Sequence, residues 1–398
     1  MAWWIIWVAT LLFTCFRIDA AAAEAPRSAI SPAYRIDLKS VMNAEAVPQV
    51  GTRETAWVPV VTLAFLSNGR LAATLVAPTR EAPGLATRGG PDAASPFRLR
   101  GVVIEASTGK VLAAPEWPSN SRAAGIVAVN DRGFVTEIGT ELTLFSPELA
   151  PIKRLALPPC AANGYVSEGD WYPDSSWSGK HLLLVSGPVW SRACWLWVDA
   201  EALRLLAAWE EDRSGPVAVS DDRMVLNPSG RHFGDPPLPL EVAVPGGDWK
   251  PLPSTLSSSG QQFVGPDLLY FQRYAAISSP VRPGVFLMRT DTGEVSRLNR
   301  LRKGWGFGRA ATTRTGKRFA ILIGQTKGSH PALDVGGHSV LRGLLIYDAP
   351  FRAPSYTLGI RESKIRNGSA ALSPDGRHLA VLGYPKLLLE VFDLPPLD

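Results

Sequence analysis

Short apolar runs separated by polar turns rich in Gly, Asn, Asp and Ser fill this chain, and no long stretch shows the 3.6-residue spacing of an amphipathic helix. The clearest unit closes the sequence. In LSPDGRHLAVLGYPKLLLEVFDL (372–394), apolar runs flank the turn Ser373-Pro374-Asp375-Gly376, and a third run ends in Val391-Phe392-Asp393. Such a pattern predicts an antiparallel meander. Its first turn recurs at Phe65–Leu71, Val129–Phe134, Ser176–Leu182, Val219–Met224, Ser258–Gln261 and Thr313–Phe319. Gly or Asn in most copies suits the positive φ of a tight hairpin, and Asp, Ser or Asn can bond the turn's own backbone. Outer hairpins are expected at 102–114, 142–157, 196–209, 241–253, 286–298 and 344–358. The last unit, LLLEVFDL, runs out of chain before a fourth strand, so both tallies reach seven. Ala33–Lys39 alternates apolar and polar residues and has no partner of its own, so it is expected to supply the missing strand.

Repetition of a four-stranded meander implies a ring of small sheets. The fold expected is all-β: a single seven-bladed β-propeller of four-stranded antiparallel blades, with six or eight blades, or a double β-sandwich, as the alternatives. Ser373-Pro374-Asp375-Gly376 followed by Arg377-His378-Leu379-Ala380-Val381 resembles the WD40/YVTN-like β-propellers of exported bacterial proteins, over nearly all of the chain after its leader. The sequence departs from the WD40 pattern in two ways. Phe392-Asp393 and Tyr347-Asp348 stand where Trp-Asp would end a third strand, and Gly337-His338 falls inside a loop rather than at the regular offset.

The ends bear on compartment. An apolar block from Trp3 to Phe16 is shorter than the ~20 residues of a membrane span. Ala21-Ala22-Ala23 with Glu24 next reads as a cleavage site, so residues 1–23 are expected to be a secretory signal peptide. No Lys or Arg precedes the block, and Leu12-Phe13-Thr14 before Cys15 makes a poor lipobox. Residues 24–52 then form an N-terminal segment that includes the ring-closing strand, and 53–398 form the propeller. A secreted or periplasmic protein, with no transmembrane anchor after cleavage, is expected. In such a compartment Cys160 and Cys194 are either disulfide-bonded or two buried free thiols.

The net charge of +5 is spread thinly, with no run of five like charges, and this argues against nucleic acid as a partner. The densest basic stretches are Arg297 to Lys303 and Arg361 to Arg366. There is no G-x-S-x-G elbow, no H-E-x-x-H, no Walker loop and no G-x-G-x-x-G opening a helix. Asp170, Asp174, Asp221 and Asp222 fit hairpin turns as well as they fit a carboxylate pair.

Function is therefore sought on loops. The resemblance implies that second-to-third and blade-to-blade connections share one binding face. Two connections there are long, 76–97 and 324–342, and they fall in blades 1 and 6, flanking blade 7. The second holds His330, Asp334 and His338. Imidazole and carboxylate suit zinc or iron, but Pro331, Gly336 and Gly337 oppose the helix that would align the three. Trp57, Trp117, Trp171, Tyr172 and Trp305 are placed either on the same face, as anchors for a sugar or protein, or between blades as core. Trp195 and Trp197 alternate within a strand and are expected to pack. The function expected is a monomeric, non-catalytic scaffold for a protein or peptide, with no cofactor. The alternatives are a propeller hydrolase or lactonase-like enzyme with a central-channel site, and a cell-envelope glycan binder. Convergent Asp, Glu or His in the channel would favour the enzyme, and a lining of Ser, Ala and Val would count against it.

Overall fold

The computed structural model describes residues 30–42, 61–78, 97–119, 125–130, 132–138, 140–162, 174–176, 178–186, 193–211, 216–226, 238–244, 247–252, 258–273, 284–300, 305–326, 339–359, 367–384 and 386–397. Their strands form seven separate antiparallel sheets, which makes the molecule a seven-bladed β-propeller. In blade 1 the strands are Val61–Ser67, Arg70–Pro78 and Phe97–Glu105, followed by an outer strand split into Val111–Ala113 and Glu116–Ser119. The split falls at Pro115, which has no N–H to give to a ladder. Blades 2 to 6 run from inner to outer strand in chain order, over 127–156, 174–211, 216–252, 258–300 and 305–359. The helix among the described residues is the single turn Pro159–Ala162, too short to cross a membrane.

Blade 7 takes Asn367–Leu372, His378–Tyr384 and Leu388–Asp393 from the chain's end and its outer strand, Tyr34–Asp37, from the start. The closing register sets Tyr34 against Val391 and Asp37 against Leu388, with an Arg35–Glu390 ion pair at 2.7 Å. Apolar burial fixes this strand in place. Leu38 and Met42 are fully buried, and Tyr34 and Ile36 join a core shared by blades 7 and 1, among them Leu71, Val102, Leu389 and Val391. The Tyr34 hydroxyl donates to Ala106 O at 2.9 Å in blade 1, and burial, helped by Asp393, pushes its pKa up to about 12.

Antiparallel order puts the first-to-second and third-to-fourth turns of every blade on one face, the turn face, and all other connections on the opposite, loop face. Four of the seven first turns use a glycine at positive φ, namely Gly133, Gly179, Gly316 and Gly376. In the last, Ser373 Oγ donates to Asp375 at 2.6 Å and accepts from His378 N at 2.9 Å.

Those polar turns also reach across every seam of the ring. Asp375 N donates to Asn68 Oδ1 at 3.2 Å (blade 7 to 1), and Arg70 donates to Pro147 O at 2.8 Å beside Glu148 (1 to 2). The Asn130 side-chain amide bonds the Glu201 carboxylate, and Arg132 donates to Glu201 O at 3.3 Å (2 to 3). Ser178 Oγ donates to Asp221 at 2.5 Å (3 to 4). Ser220 Oγ donates to Pro266 O at 3.1 Å, while Arg223 meets Asp267 at 2.9 Å and Thr290 at 3.2 Å (4 to 5). Thr312 Oγ1 donates to Val264 O at 3.1 Å (5 to 6). Arg318 completes the circuit (6 to 7): it is wholly buried, pairs with Asp348, and donates to Gly376 O at 2.5 Å and Pro395 O at 2.9 Å. Stranding one partner of a buried pair of this kind costs about 3–5 kcal/mol.

One expected turn is misplaced. Ser258–Gln261 is not a turn but part of the inner strand Ser258–Phe263 of blade 5, and the chain reverses later, at Val264–Asp267. The Gly265-Pro266-Asp267 sequence supplies the turn chemistry; Gln261 is a buried strand residue, and the Gln262 side chain bonds Ala310 across a seam. The two long connections are also shorter than expected. Pairing continues to Pro78↔Phe97 and Thr326↔Ser339, so only 79–96 and 327–338 intervene.

Because Leu38 alone buries a side chain worth about 1.5–3 kcal/mol, and Tyr34 and Ile36 pack on the same core, deletion of residues 33–41 is expected to lower the thermal unfolding temperature sharply. Differential scanning calorimetry reads this directly. An unchanged midpoint would mean that the closing strand contributes nothing to the ring.

Candidate functional site

The inner strands surround the channel, so their residues decide what chemistry it offers. Blades 1, 2, 4 and 7 contribute Val61–Ser67, Val127–Val129, Pro216–Val219 and Asn367–Leu372, whose sequences hold Val, Ala, Ser, Thr and Leu with single Asn, Gly, Phe and Pro residues. Blade 5 contributes Ser258–Phe263 with its two glutamines. Among the described inner-strand residues the ionisable ones are Asp174 in blade 3 and Arg309 in blade 6. No three metal-ligating side chains converge among the described residues.

Arg309 owes its position to a bulge. Trp305–Thr312 pairs with Arg318–Thr326, but the register slips between Phe307↔Ile323 and Ala310↔Ile321, so Gly308 and Arg309 together oppose Leu322. Three side chains of blade 5 hold the backbone there. Gln262 clasps Ala310 at both ends, Nε2 to its O at 2.8 Å and Oε1 from its N at 3.0 Å. Gln272 Nε2 donates to Phe307 O at 2.8 Å, and the Tyr270 hydroxyl donates to Gly308 O at 3.2 Å. Gln272 also donates to Tyr270 at 3.2 Å, so its buried amide lies in a bonded network. Space is tight at this point, because a Cβ on Gly308 would lie 3.1 Å from Leu322 Cβ.

The seam between blades 2 and 3 holds a second unusual group. On the strand Gly133–Ile138, Glu137 alternates with Val135 and so faces the cluster of Leu142, Leu144 and Cys194. Burial pushes its carboxyl up to about 8, which leaves the acid protonated at neutral pH. Close by, Cys160 in the helical turn is bonded to Cys194 in the third strand of blade 3, with Cα atoms 5.7 Å apart and a sequence separation of 34. By chain entropy, a loop of 34 residues is worth roughly 3–4 kcal/mol.

The residues singled out from sequence are spread over several places. Trp117 lies half-buried in the outer strand of blade 1, its ring tilted against Phe145 at 5.6 Å and edge-on to Phe134 at 6.1 Å in blade 2. Trp305 begins the inner strand of blade 6, paired with Gln325. Trp195 and Trp197 are buried, and His181 meets Trp197 edge-on at 5.6 Å. Asp221 and Asp222 belong to the turn-face girdle, where the Arg223 hydrogen bond holds Asp222 below the usual carboxylate range. Asp174 opens blade 3. Trp57, Asp170, Trp171, Tyr172, His330, Asp334 and His338 lie outside the described residues. Gln262, Tyr270, Gln272, Arg309 and Glu137 were not anticipated. A carboxylate at an alternating strand position looks solvent-facing until a second blade is known to cover it.

No protein-family model matches the chain, and no curated protein matches it either. Solved structures do. The β-propeller domain of the trilobed protease from Pyrococcus furiosus aligns with a TM-score of 0.52 at 11% identity, over 85% of this chain and 94% of that one. That domain has an open velcro topology, whereas here Tyr34–Asp37 closes the last blade. Pyrococcus horikoshii acylaminoacyl peptidase aligns with a TM-score of 0.52 at 11% identity, over 86% of this chain but 52% of the peptidase, about half its length. At such identity the likeness defines the class, a β-propeller, and nothing narrower.

Glu137 gives a pH dependence. Its value in the folded protein, about 8, lies above the ordinary 4.5, so the native state holds the proton more tightly than the unfolded chain. The stability it contributes is greatest below about pH 4.5 and is lost as pH rises through 8. The melting temperature of the wild type minus that of Glu137→Gln is expected to fall steadily between pH 5 and pH 9. Parallel profiles would show that the carboxyl titrates normally.

Proposed function

We propose that this protein is an exported β-propeller of the WD40/YVTN-like type that acts as a non-catalytic scaffold, binding a protein or peptide partner on its loop face. The observation that carries this reading is topological. Segments 79–96 and 327–338 are the second-to-third connections of blades 1 and 6, so both leave the loop face on either side of blade 7. A rigid ring that carries elongated connections on one face is a usual design for recognition. The opposite face supports the same division, since its polar turns are engaged in binding neighbouring blades. The scarcity of ionisable residues on the described inner strands favours binding over acid–base chemistry in the channel. The apolar leader at 3–16 and the Ala21-Ala22-Ala23 site support export, and the Cys160–Cys194 bond suits an oxidising compartment. The structural neighbours include a protease's propeller domain and a peptidase, but their likeness carries the fold alone, so the choice between scaffold and hydrolase rests on this chain's own residues.

The test is capture from the envelope fraction of the source organism. The wild type is expected to retain a specific partner, and a variant with 79–96 and 327–338 each replaced by a short Gly-Ser linker is expected to lose it at unchanged melting temperature. Equal capture by both would contradict the reading.

A further inference from the structure

Each blade of a propeller ends in an outer strand with one open side, and an open sheet edge pairs with another extended chain unless something blunts it. Six of the seven edges here are blunted. Blade 1 has its outer strand split at Pro115, and blade 4 offers three residues, Lys250–Leu252, with Pro251 in the middle. In blade 2, Pro151–Ala156 opens on a proline and a register slip and then carries Lys153 and Arg154. Blade 5 places Arg297 inside Val295–Arg300. The outer strands of blades 6 and 7, Tyr356–Gly359 and Tyr34–Asp37, are four residues long.

Blade 3 differs. Its outer strand Arg204–Glu211 is eight residues long, contains no proline, and is uncharged from Leu205 to Trp209. It pairs with Ala193–Asp199 and ends its sheet, so no strand among the described residues covers its other side. The register slips once, at Leu206, which is 39% exposed. Six large apolar side chains are exposed among the described residues, and five of them, Ile152, Leu206, Leu238, Val244 and Trp249, belong to blades 2, 3 and 4. That concentration on three consecutive blades, with the open edge in the middle one, marks an interaction surface.

The strand's own charges specify the occupant. Arg204 stands at one end, Glu210 and Glu211 at the other, and only Leu, Ala and Trp lie between. A second copy laid antiparallel brings Arg204 of each molecule to the Glu210-Glu211 end of the other, with the apolar positions opposed across the middle. A parallel arrangement sets like charges side by side at both ends. Arg204 also meets Asp199 of its own sheet at 3.6 Å, but a pair so exposed is worth little and yields to a better-placed partner. A stable interface buries ~1,200–2,000 Å² in all. One strand against another supplies part of this, and the exposed side chains of blades 2 and 4 extend it.

We propose that the outer strand of blade 3 pairs antiparallel with the same strand of a second copy, joining two blades into one eight-stranded sheet. The contact is isologous and closes at a two-fold dimer, in place of the monomer expected from the sequence. It uses an outer strand rather than the loop face, so it goes beyond the scaffold reading and does not depend on it.

The test is sedimentation equilibrium of the purified protein over a concentration series at low salt. The wild type is expected to reach twice the chain mass at micromolar concentration. Leu206→Lys, which sets a charge on the edge, is expected to weaken the dimer at least tenfold at an unchanged melting temperature. Two further variants test the pairing itself. Arg204→Glu makes both ends of the strand negative, and the double substitution Glu210→Arg with Glu211→Arg makes both positive. Each alone is expected to sediment as a monomer, and an equimolar mixture of the two is expected to restore the dimer. A wild type that stays monomeric would overturn the proposal, and so would a dimer that all of these variants leave intact. Charge variants that separate but do not recombine on mixing would overturn the antiparallel pairing. Capture of an envelope protein that Leu206→Lys abolishes, by a wild type that is monomeric, would assign the edge to another protein's strand instead.

Discussion

Each blade of this ring is a separate sheet, and among the described residues no backbone ladder joins it to the next. Everything that makes seven small sheets into one molecule must therefore come from side chains at the seams and from the single place where the chain's two ends share a sheet. Apolar clusters fill the seams, each drawing residues from two neighbouring blades, as where Leu142 and Leu144 meet Leu182 and Leu196. Apolar packing alone is non-directional and would tolerate sliding of one blade on another. The polar links on the turn face supply the missing direction. They pass through every seam, and the most buried member, Arg318, pairs with Asp348 inside blade 6 while donating to Gly376 O and Pro395 O of blade 7.

This arrangement explains which parts of the fold were legible in the sequence. Tight turns require particular residues, and those residues show in a single chain, so Asn68-Gly69, Gly179, Gly316 and Ser373–Gly376 located their hairpins. The alternation of Tyr34–Asp37 and the unfinished last unit located the closure. The one misplaced turn, Ser258–Gln261, shows the limit. Gln262 there serves the neighbouring blade, and polarity that serves a seam cannot be told from polarity that serves a turn without knowing what packs there. The same reason hid Glu137 and the blade 5 residues that support the bulge. Register slips leave no mark in composition, so Arg309 looked like any other surface arginine.

The two faces divide the work. Residues that a reader of the sequence would suspect of chemistry are engaged structurally: Asp221 and His181 bond across the seam of blades 3 and 4, and Asp222 holds Arg223, which reaches Asp267 of blade 5. The long connections leave from the other face, and among the described inner-strand residues the ionisable ones are Asp174 and Arg309. The ring is thus tied by side chains on one face and carries its longer connections on the other.

The central claim is that seams and closure make the ring a single cooperative unit. Hydrogen–deuterium exchange under mild denaturant tests it most directly. The account predicts that amides of Tyr34–Asp37 and Leu388–Asp393 lose protection in the same transition as those of His181–Ser186 and Ala193–Asp199 in blade 3, on the far side of the ring. Release of blade 7 at clearly lower denaturant, with blade 3 still protected, would contradict it.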